Sequence, residues 1–243
     1  MSTVAIIQAR MGSTRLPGKV LEQLQGEPVL ARVVQRARRA RRVDSVIVAT
    51  TTSVPDQAIV AECARLAVPC YRGSEEDVLD RYLQAARGHN AQHVVRITAD
   101  CPLIDPELMD QVVAAFFDAA ADYASLDIES SYPRGLDVEV VSAAALEVAG
   151  REARLPYERV HVMPFFYHHP ERFRLVNVKA ADDLSHYRWT LDTKEDLEFL
   201  RAVCARLPDV NTAGWRDVLA VLEREPALAA INAGVRQKTL QEG

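Results

Sequence analysis

Thr3 to Leu21 reads TVAIIQARMGSTRLPGKVL. Its first part, Thr3 to Ala9, is a short apolar and β-branched run, and it predicts a strand buried on both faces. Its second part carries Gly12, Ser13, Thr14, Pro17 and Gly18 together with three cations, Arg10, Arg15 and Lys19. A buried strand emptying into a polar, glycine-containing loop opens an α/β fold, in which ligands gather beyond the carboxyl ends of parallel strands. The loop is not a Walker A motif, which needs four residues between its first glycine and a Gly-Lys-Ser/Thr ending. Here five residues separate Gly12 from Gly18, and Val20 follows Lys19 where a hydroxyl would hold magnesium. Glycines nevertheless let backbone N–H groups approach an anion, arginine forks match phosphate oxygens, and Pro17 stiffens the chain. The same features describe a basic surface turn, and the loop alone leaves both readings open.

The pattern then repeats. SVIVATT (Ser45 to Thr51), VPCYRG (Val68 to Gly73) and HVVRITA (His93 to Ala99) read as further strands. Between them, Val29, Leu30, Val33, Val34 and Ala37 follow Pro28 with helical spacing, and Leu108, Met109, Val112, Val113, Phe116 and Phe117 follow Pro106. Ser53 and Ser74 each stand three residues before an aspartate, a capping-box spacing. Strand–helix repetition with right-handed crossovers predicts a mostly parallel, Rossmann-like sheet flanked by helices. Its ligand edge would comprise the loop after Ala9, Thr50 to Ser53, Arg72 to Glu75, and Asp100.

From Asp122 the pattern changes. YPRGLDVEVVS (Tyr132 to Ser142) reads as a turn and an alternating strand, with Asp137 and Glu139 on one face. Asp137 there either orients a substrate hydroxyl or lines a solvent-facing side. ERVHVMPFFYHHPERF (Glu158 to Phe173) mixes aromatic residues with adjacent histidines, whose spacing does not suit one metal ion. Phe165, Phe166 and Tyr167 read as core or subunit contacts. FRLVNVKA and YRWTLD read as two more strands, and Thr193 caps a helix carrying Leu197, Leu200, Val203 and Cys204. The tail from Trp215 reads as helical and then frayed. The expectation is a single domain, 1–243, with an insertion at about 123–186 that returns to the same sheet.

Composition narrows the class. Of 243 residues, 49% are apolar and 26% charged, which suits a globular protein with a sizeable core. A net charge of -5 argues against nucleic-acid binding. The basic run Arg36 to Arg42 falls at a predicted helix end, where the dipole favours cations, and reads as a solvated face. Four scattered cysteines read mostly as buried thiols in a reducing compartment. The start lacks the basic region of a signal peptide, and no apolar run approaches the ~18 residues of a membrane span. The expected location is the cytoplasm, with no membrane association.

QARMGSTRLPGKVL (Gln8 to Leu21) resembles the amino-terminal signature of the sugar nucleotidyltransferases, in particular the cytidylyltransferases that activate 3-deoxy-manno-octulosonate (KDO) and acylneuraminates. It is most similar to their SpsF-like branch, named for spore-coat polysaccharide synthesis. YRGSEEDVLDRY (Tyr71 to Tyr82), VVRITADCPLIDP (Val94 to Pro106), YPRGLDVEV (Tyr132 to Val140) and WTLDTKEDL (Trp189 to Leu197) extend the resemblance, in order, over most of the chain.

The resemblance implies a nucleotidyltransferase domain that moves CMP from CTP to a sugar or sugar acid, releases pyrophosphate, uses Mg²⁺ and forms a homodimer. It implies catalytic roles for Arg10, Lys19 and Asp100, and metal ligation by Asp100 and Asp192. The implied nucleotide contacts are Ala9, Arg10, Gly12, Ser13, Arg15, Lys19, Arg72 and Ser74, and the acceptor contacts Asp137, His161 and Tyr167. From the residues alone, Asp100 and Asp192 read equally as loop or cap carboxylates. Arg81 either serves the nucleotide or pairs with Asp77 or Asp80. Acylneuraminate enzymes commonly carry Asp-x-Asp at the second metal position, whereas here Asp192 is followed by Thr193 and Lys194, so one or two ions both remain open. Use of GTP or UTP, glycosyl transfer from a ready-made nucleotide sugar, and a non-catalytic nucleotide-binding role stand as alternatives.

Overall fold

Strand β1 (Thr3–Gln8) runs through the middle of the sheet, and its alternation explains why the protein has two core layers. Val4 and Ile6 face one layer, Ala5 and Ile7 the other, and all four are fully buried. The structure, a computed structural model, describes residues 2–240. After β1 comes a short hairpin of β2 (Gln23–Leu24) and β3 (Glu27–Pro28). The main sheet adds β4 (Ser45–Thr51), β5 (Cys70–Gly73), β6 (His93–Thr98), β7 (Tyr123–Ser125), β8 (Glu139–Ser142) and β9 (Leu175–Asn177). Their order is β5-β4-β1-β6-β8-β7-β9. The pairings from β5 to β6 are parallel, β8 is antiparallel to both β6 and β7, and β9 returns parallel to β7.

Helices Val29–Ala37, Pro106–Asp118, Lys194–Cys204 and Trp215–Arg224 cover the Ala5/Ile7 face. Helices Val78–Gly88 and Ala143–Glu152 cover the Val4/Ile6 face together with Val162, Phe165 and Phe166. Phe165 and Phe166 are therefore core residues, not a surface for a second subunit. The expected helix after Pro106 forms with Asp105 as its cap, whose Oδ1 accepts from the N–H of Glu107 at 2.8 Å. Cys63, Cys101 and Cys204 are buried free thiols, and Cys70 is half-buried. Among the described residues no helix is long and apolar enough to cross a membrane.

Four local expectations need correction. Arg36 is not part of a solvated run: it is fully buried and donates to the carbonyls of Ile104 (2.6 Å) and Val210 (2.5 Å). Those carbonyls supply a fixed acceptor set that helix-end periodicity does not reveal. Ser53 forms no side-chain cap, and Ser74 instead accepts from the N–H of Asp77, which is the true cap of helix Val78–Gly88. YRWTLD forms no strand, only a bridge between Arg188 and Arg134, because it crosses the sheet edge instead of joining it. Beyond helices Trp215–Arg224 and Ala227–Ala230, the tail as far as Leu240 runs back over the sheet's carboxyl edge, and the rest of the expected frayed end lies outside the described residues.

Candidate functional site

Beyond β1 the loop is moored before it is shaped. The N–H of Met11 donates to Asp56 Oδ1 at 2.8 Å, while Asp56 Oδ2 accepts from Thr50 Oγ1 (3.0 Å) and Thr51 Oγ1 (2.6 Å) at the end of β4. Burial raises the Asp56 pKa, but the hydrogen bonds from Thr51 and Met11 outweigh it and hold the carboxyl below its ordinary value. The loop closes where the Gly18 N–H donates to the Met11 carbonyl at 2.9 Å. Gly18 has φ 74°, a left-handed conformation natural to glycine, and it turns the chain into a short 3-10 segment, Lys19–Leu21. Lys19 is thereby buried to 9% exposure and points across the sheet edge.

There its ammonium bridges two carboxylates from distant parts of the chain. Lys19 Nζ donates to Asp100 Oδ2 at 2.6 Å and to Asp192 Oδ1 at 2.8 Å. Arg15 and Arg188 hold the other oxygen of Asp192 at 2.9 and 2.7 Å. Burial opposes charge on Lys19, Asp100, Asp192 and Arg188, yet the attraction between opposite charges prevails. Lys19 is raised above its usual pKa, Asp100 is lowered by Lys19, and Asp192 is lowered to about 2 by Lys19, Arg15 and Arg188.

The backbone fixes this meeting. Leu191 N–H donates to the Asp100 carbonyl at 2.8 Å, and Trp189 N–H donates to the Arg134 carbonyl at 2.7 Å. Gly135, at φ 103°, makes room: a Cβ there would lie 2.6 Å from Thr190 N and from Trp189 C. Two carboxylates and no third convergent ligand suit Mg²⁺, which takes one or two protein carboxylates and completes its shell with phosphate oxygens and water. Among the described residues no group of three or more His, Cys, Asp or Glu forms a protein-only metal cage.

A cavity of about 930 Å³ opens beside this cluster. Ala9, Arg10, Ser13, Arg15, Lys19, Asp100 and Asp192 line it together with Asp137, His161 and Tyr167. Also in the lining, Glu139 accepts from Tyr123 Oη at 2.7 Å and ion-pairs with Arg96, which donates as well to Gln8 Oε1 at 3.1 Å. Asp137 accepts from the Gly135 N–H at 3.2 Å. Burial and the neighbouring Asp127 push it up to about 7 despite Arg134. Burial, then Arg96, lowers the pKa of His161.

Three expected nucleotide contacts stand outside this lining. Gly12 faces the Glu75 side chain. Arg72 is committed to the carbonyls of Thr51 and Ser53, both at 2.9 Å, and Ser74 Oγ to the Asp77 N–H at 3.0 Å. Arg81 does line the cavity; it pairs with neither Asp77 nor Asp80 but donates to the Ser74 carbonyl at 2.5 Å, while Arg159 takes Asp77. Sequence reasoning missed Arg188, Asp196 and the tail. Asp196, fully buried, accepts from Arg188 Nε, Asn232 Nδ2 and the Asp192 N–H, each at 2.9 Å. Its signal was the Thr193-x-x-Asp196 spacing, a capping box that also sets the angle of Asp192.

Comparison with known proteins identifies the family. A family model described as cytidylyltransferase matches residues 4–224. The chain is 35% identical to the spore coat polysaccharide biosynthesis protein SpsF of Bacillus subtilis, over 92% of this chain and 95% of that one. It is 33% identical to the 3-deoxy-manno-octulosonate cytidylyltransferase of Anaeromyxobacter dehalogenans, over 82% and 96% respectively. A solved cytidylyltransferase structure from Leptospira borgpetersenii superposes with a TM-score of 0.91 at 31% identity, covering 98% of this chain and 99% of that one.

Proposed function

The chain belongs to the cytidylyltransferase family, and from that premise we propose that it transfers CMP from CTP to a hydroxyl of a sugar or sugar acid, releasing pyrophosphate. One observation carries the reading: the Lys19 ammonium, from the loop after β1, meets both Asp100 and Asp192, in a cavity that Asp137, His161 and Tyr167 also line. The relatives named for KDO activation and for polysaccharide synthesis support an acceptor of the sugar class.

In this reading the triphosphate lies along the loop, where Arg10, Arg15 and Lys19 offset the charge that grows on the departing pyrophosphate. The base sits near Ala9 and Ser13. Asp137, His161 and Tyr167 orient the acceptor, whose hydroxyl oxygen attacks the α-phosphorus in line with the leaving group. One P–O bond forms, another breaks with its electron pair leaving on pyrophosphate, and the hydroxyl proton passes to solvent. Asp100 and Asp192 would hold Mg²⁺, which when bound offsets charge on the α-phosphate and eases deprotonation of a nearby hydroxyl. No covalent intermediate with the protein is needed.

The test is pyrophosphate release with Mg²⁺ and each of the four nucleoside triphosphates, screened against sugar acids and neutral sugars. The expected result is CTP-dependent turnover with a sugar acceptor. Turnover with GTP or UTP instead would move the nucleotide assignment, release of a nucleoside diphosphate from a nucleotide sugar would indicate glycosyl transfer, and CTP binding without turnover would indicate a non-catalytic role.

A further inference from the structure

The chain beyond helix Ala227–Ala230 returns to the cavity and touches several of its lining residues. On the loop side, Arg15 donates to the Arg236 carbonyl at 3.3 Å and Lys238 Nζ to Thr14 Oγ1 at 3.4 Å. At the carboxylate cluster, Arg188 donates to Gln237 Oε1 at 2.6 Å. On the acceptor side, His161 Nε2 and the Leu240 carbonyl share a hydrogen bond at 3.1 Å. Gln237 to Leu240 line the cavity directly. We propose that residues 236–240 are a strap that closes over bound substrates, and that Lys238 is a ligand for the nucleotide phosphates.

Two observations favour this over a merely structural tail. The first is charge. Lys19 and Arg15 are already engaged with Asp100 and Asp192, whereas among the described residues the Lys238 ammonium donates to a neutral hydroxyl, on the same loop that carries the other cations. A cation held by a hydroxyl beside a polyanion site loses little by turning to a phosphate oxygen. The second is seating. Arg236, Gln237 and Thr239 are exposed, and Lys238 and Leu240 are half-buried, none fully enclosed. The contacts given above hold the strap through polar groups, which lets it lift for substrate entry at small cost. The contacts with Arg15 and His161 are to backbone carbonyls, so substrate can replace them without leaving a side chain stranded.

This inference rests on the triphosphate reading above, and binding measurements separate the two. Calorimetry with CTP and Mg²⁺, and with inorganic tripolyphosphate as competitor, would be run on the full chain, Lys238→Ala, Lys238→Arg, and a chain ending at Val235. The expectation is about tenfold weaker binding of CTP and tripolyphosphate by Lys238→Ala, the equivalent of one charge-assisted hydrogen bond. Lys238→Arg should bind within about twofold of the parent, and all variants should keep the parent's melting temperature. In turnover, KM for CTP should rise with kcat little changed in Lys238→Ala, and the shortened chain should lose affinity for CTP and acceptor together. If the parent binds CTP and Lys238→Ala binds it equally well, the phosphate role is overturned while the cytidylyltransferase reading stands. If the shortened chain turns over faster than the full one, the tail blocks the site and the strap is overturned. If the parent binds no triphosphate, both fall.

Discussion

The Leu191 N–H donates to the Asp100 carbonyl at 2.8 Å, tying the end of β6 to the segment that carries Asp192. The two carboxylates are far apart in sequence, yet this bond and the Thr190 hydroxyl on the same carbonyl, at 3.3 Å, fix their separation before any ligand arrives. Gly135 is the permissive element, since its hydrogen is all that fits against the backbone of Trp189 and Thr190.

Gly135→Ala therefore acts on stability and site geometry together. Left-handed strain alone costs roughly 1–3 kcal/mol, and the 2.6 Å clash must also be relieved by moving the Asp192 segment. The expected outcome is a lower melting temperature and a weaker response to Mg²⁺. An unchanged melting curve would show that the segment is not held as described.

Lys19→Ala should be the most damaging change in the loop. It removes the counter-ion of Asp100 and Asp192, whose side chains are only 23% and 15% exposed, and leaves them repelling one another. We expect roughly 2–3 kcal/mol of lost stability at neutral pH and a fall of about 10²-fold or more in kcat/KM. Added Mg²⁺ should recover part of the melting temperature but not the activity. Circular dichroism melts at several Mg²⁺ concentrations test this.

Asp100→Asn and Asp192→Asn keep shape but halve the charge of the pair. Each is expected to lose about 10²-fold in rate and to flatten the Mg²⁺ titration. An unaltered titration in either variant would remove that residue from the metal site. In the parent, the stabilising contribution of Asp192 is present above its unfolded pKa, near 3.8, and is lost as pH falls through about 2.

Asp137 carries the opposite sign. Its pKa rises from 3.8 to about 7, so its contribution is fully present below 3.8 and is lost as pH rises through 7. Asp137→Asn keeps an acceptor for the Gly135 N–H and cannot ionise. It should be more stable than the parent at pH 8, on the order of 1–2 kcal/mol after allowing for solvent screening, and indistinguishable below pH 4. A constant difference across that range would contradict the assignment.

Much of this was legible in the sequence because periodicity and strand ends are local. β1, β4, β5 and β6 were readable as apolar runs, and the rule that ligands sit beyond strand ends led directly to Arg10, Lys19 and Asp100. Asp192 was singled out by the family resemblance and by its place at the end of YRWTLD, an expected strand that does not form. What stayed hidden was long-range. Nothing near Arg36 announces the carbonyls of Ile104 and Val210, and nothing near Arg72 announces those of Thr51 and Ser53. The return of the tail to Arg15, Arg188 and His161 depends on three hydrogen bonds between segments with no shared pattern.

The most direct test of the central claim is anomalous diffraction from crystals grown with CTP and Mn²⁺ in place of Mg²⁺. The account predicts a peak between Asp100 and Asp192, bridging to phosphate oxygens, with Lys19 turned from the carboxylates toward the phosphates. A peak elsewhere, or triphosphate density away from the Arg10–Lys19 loop, would contradict it.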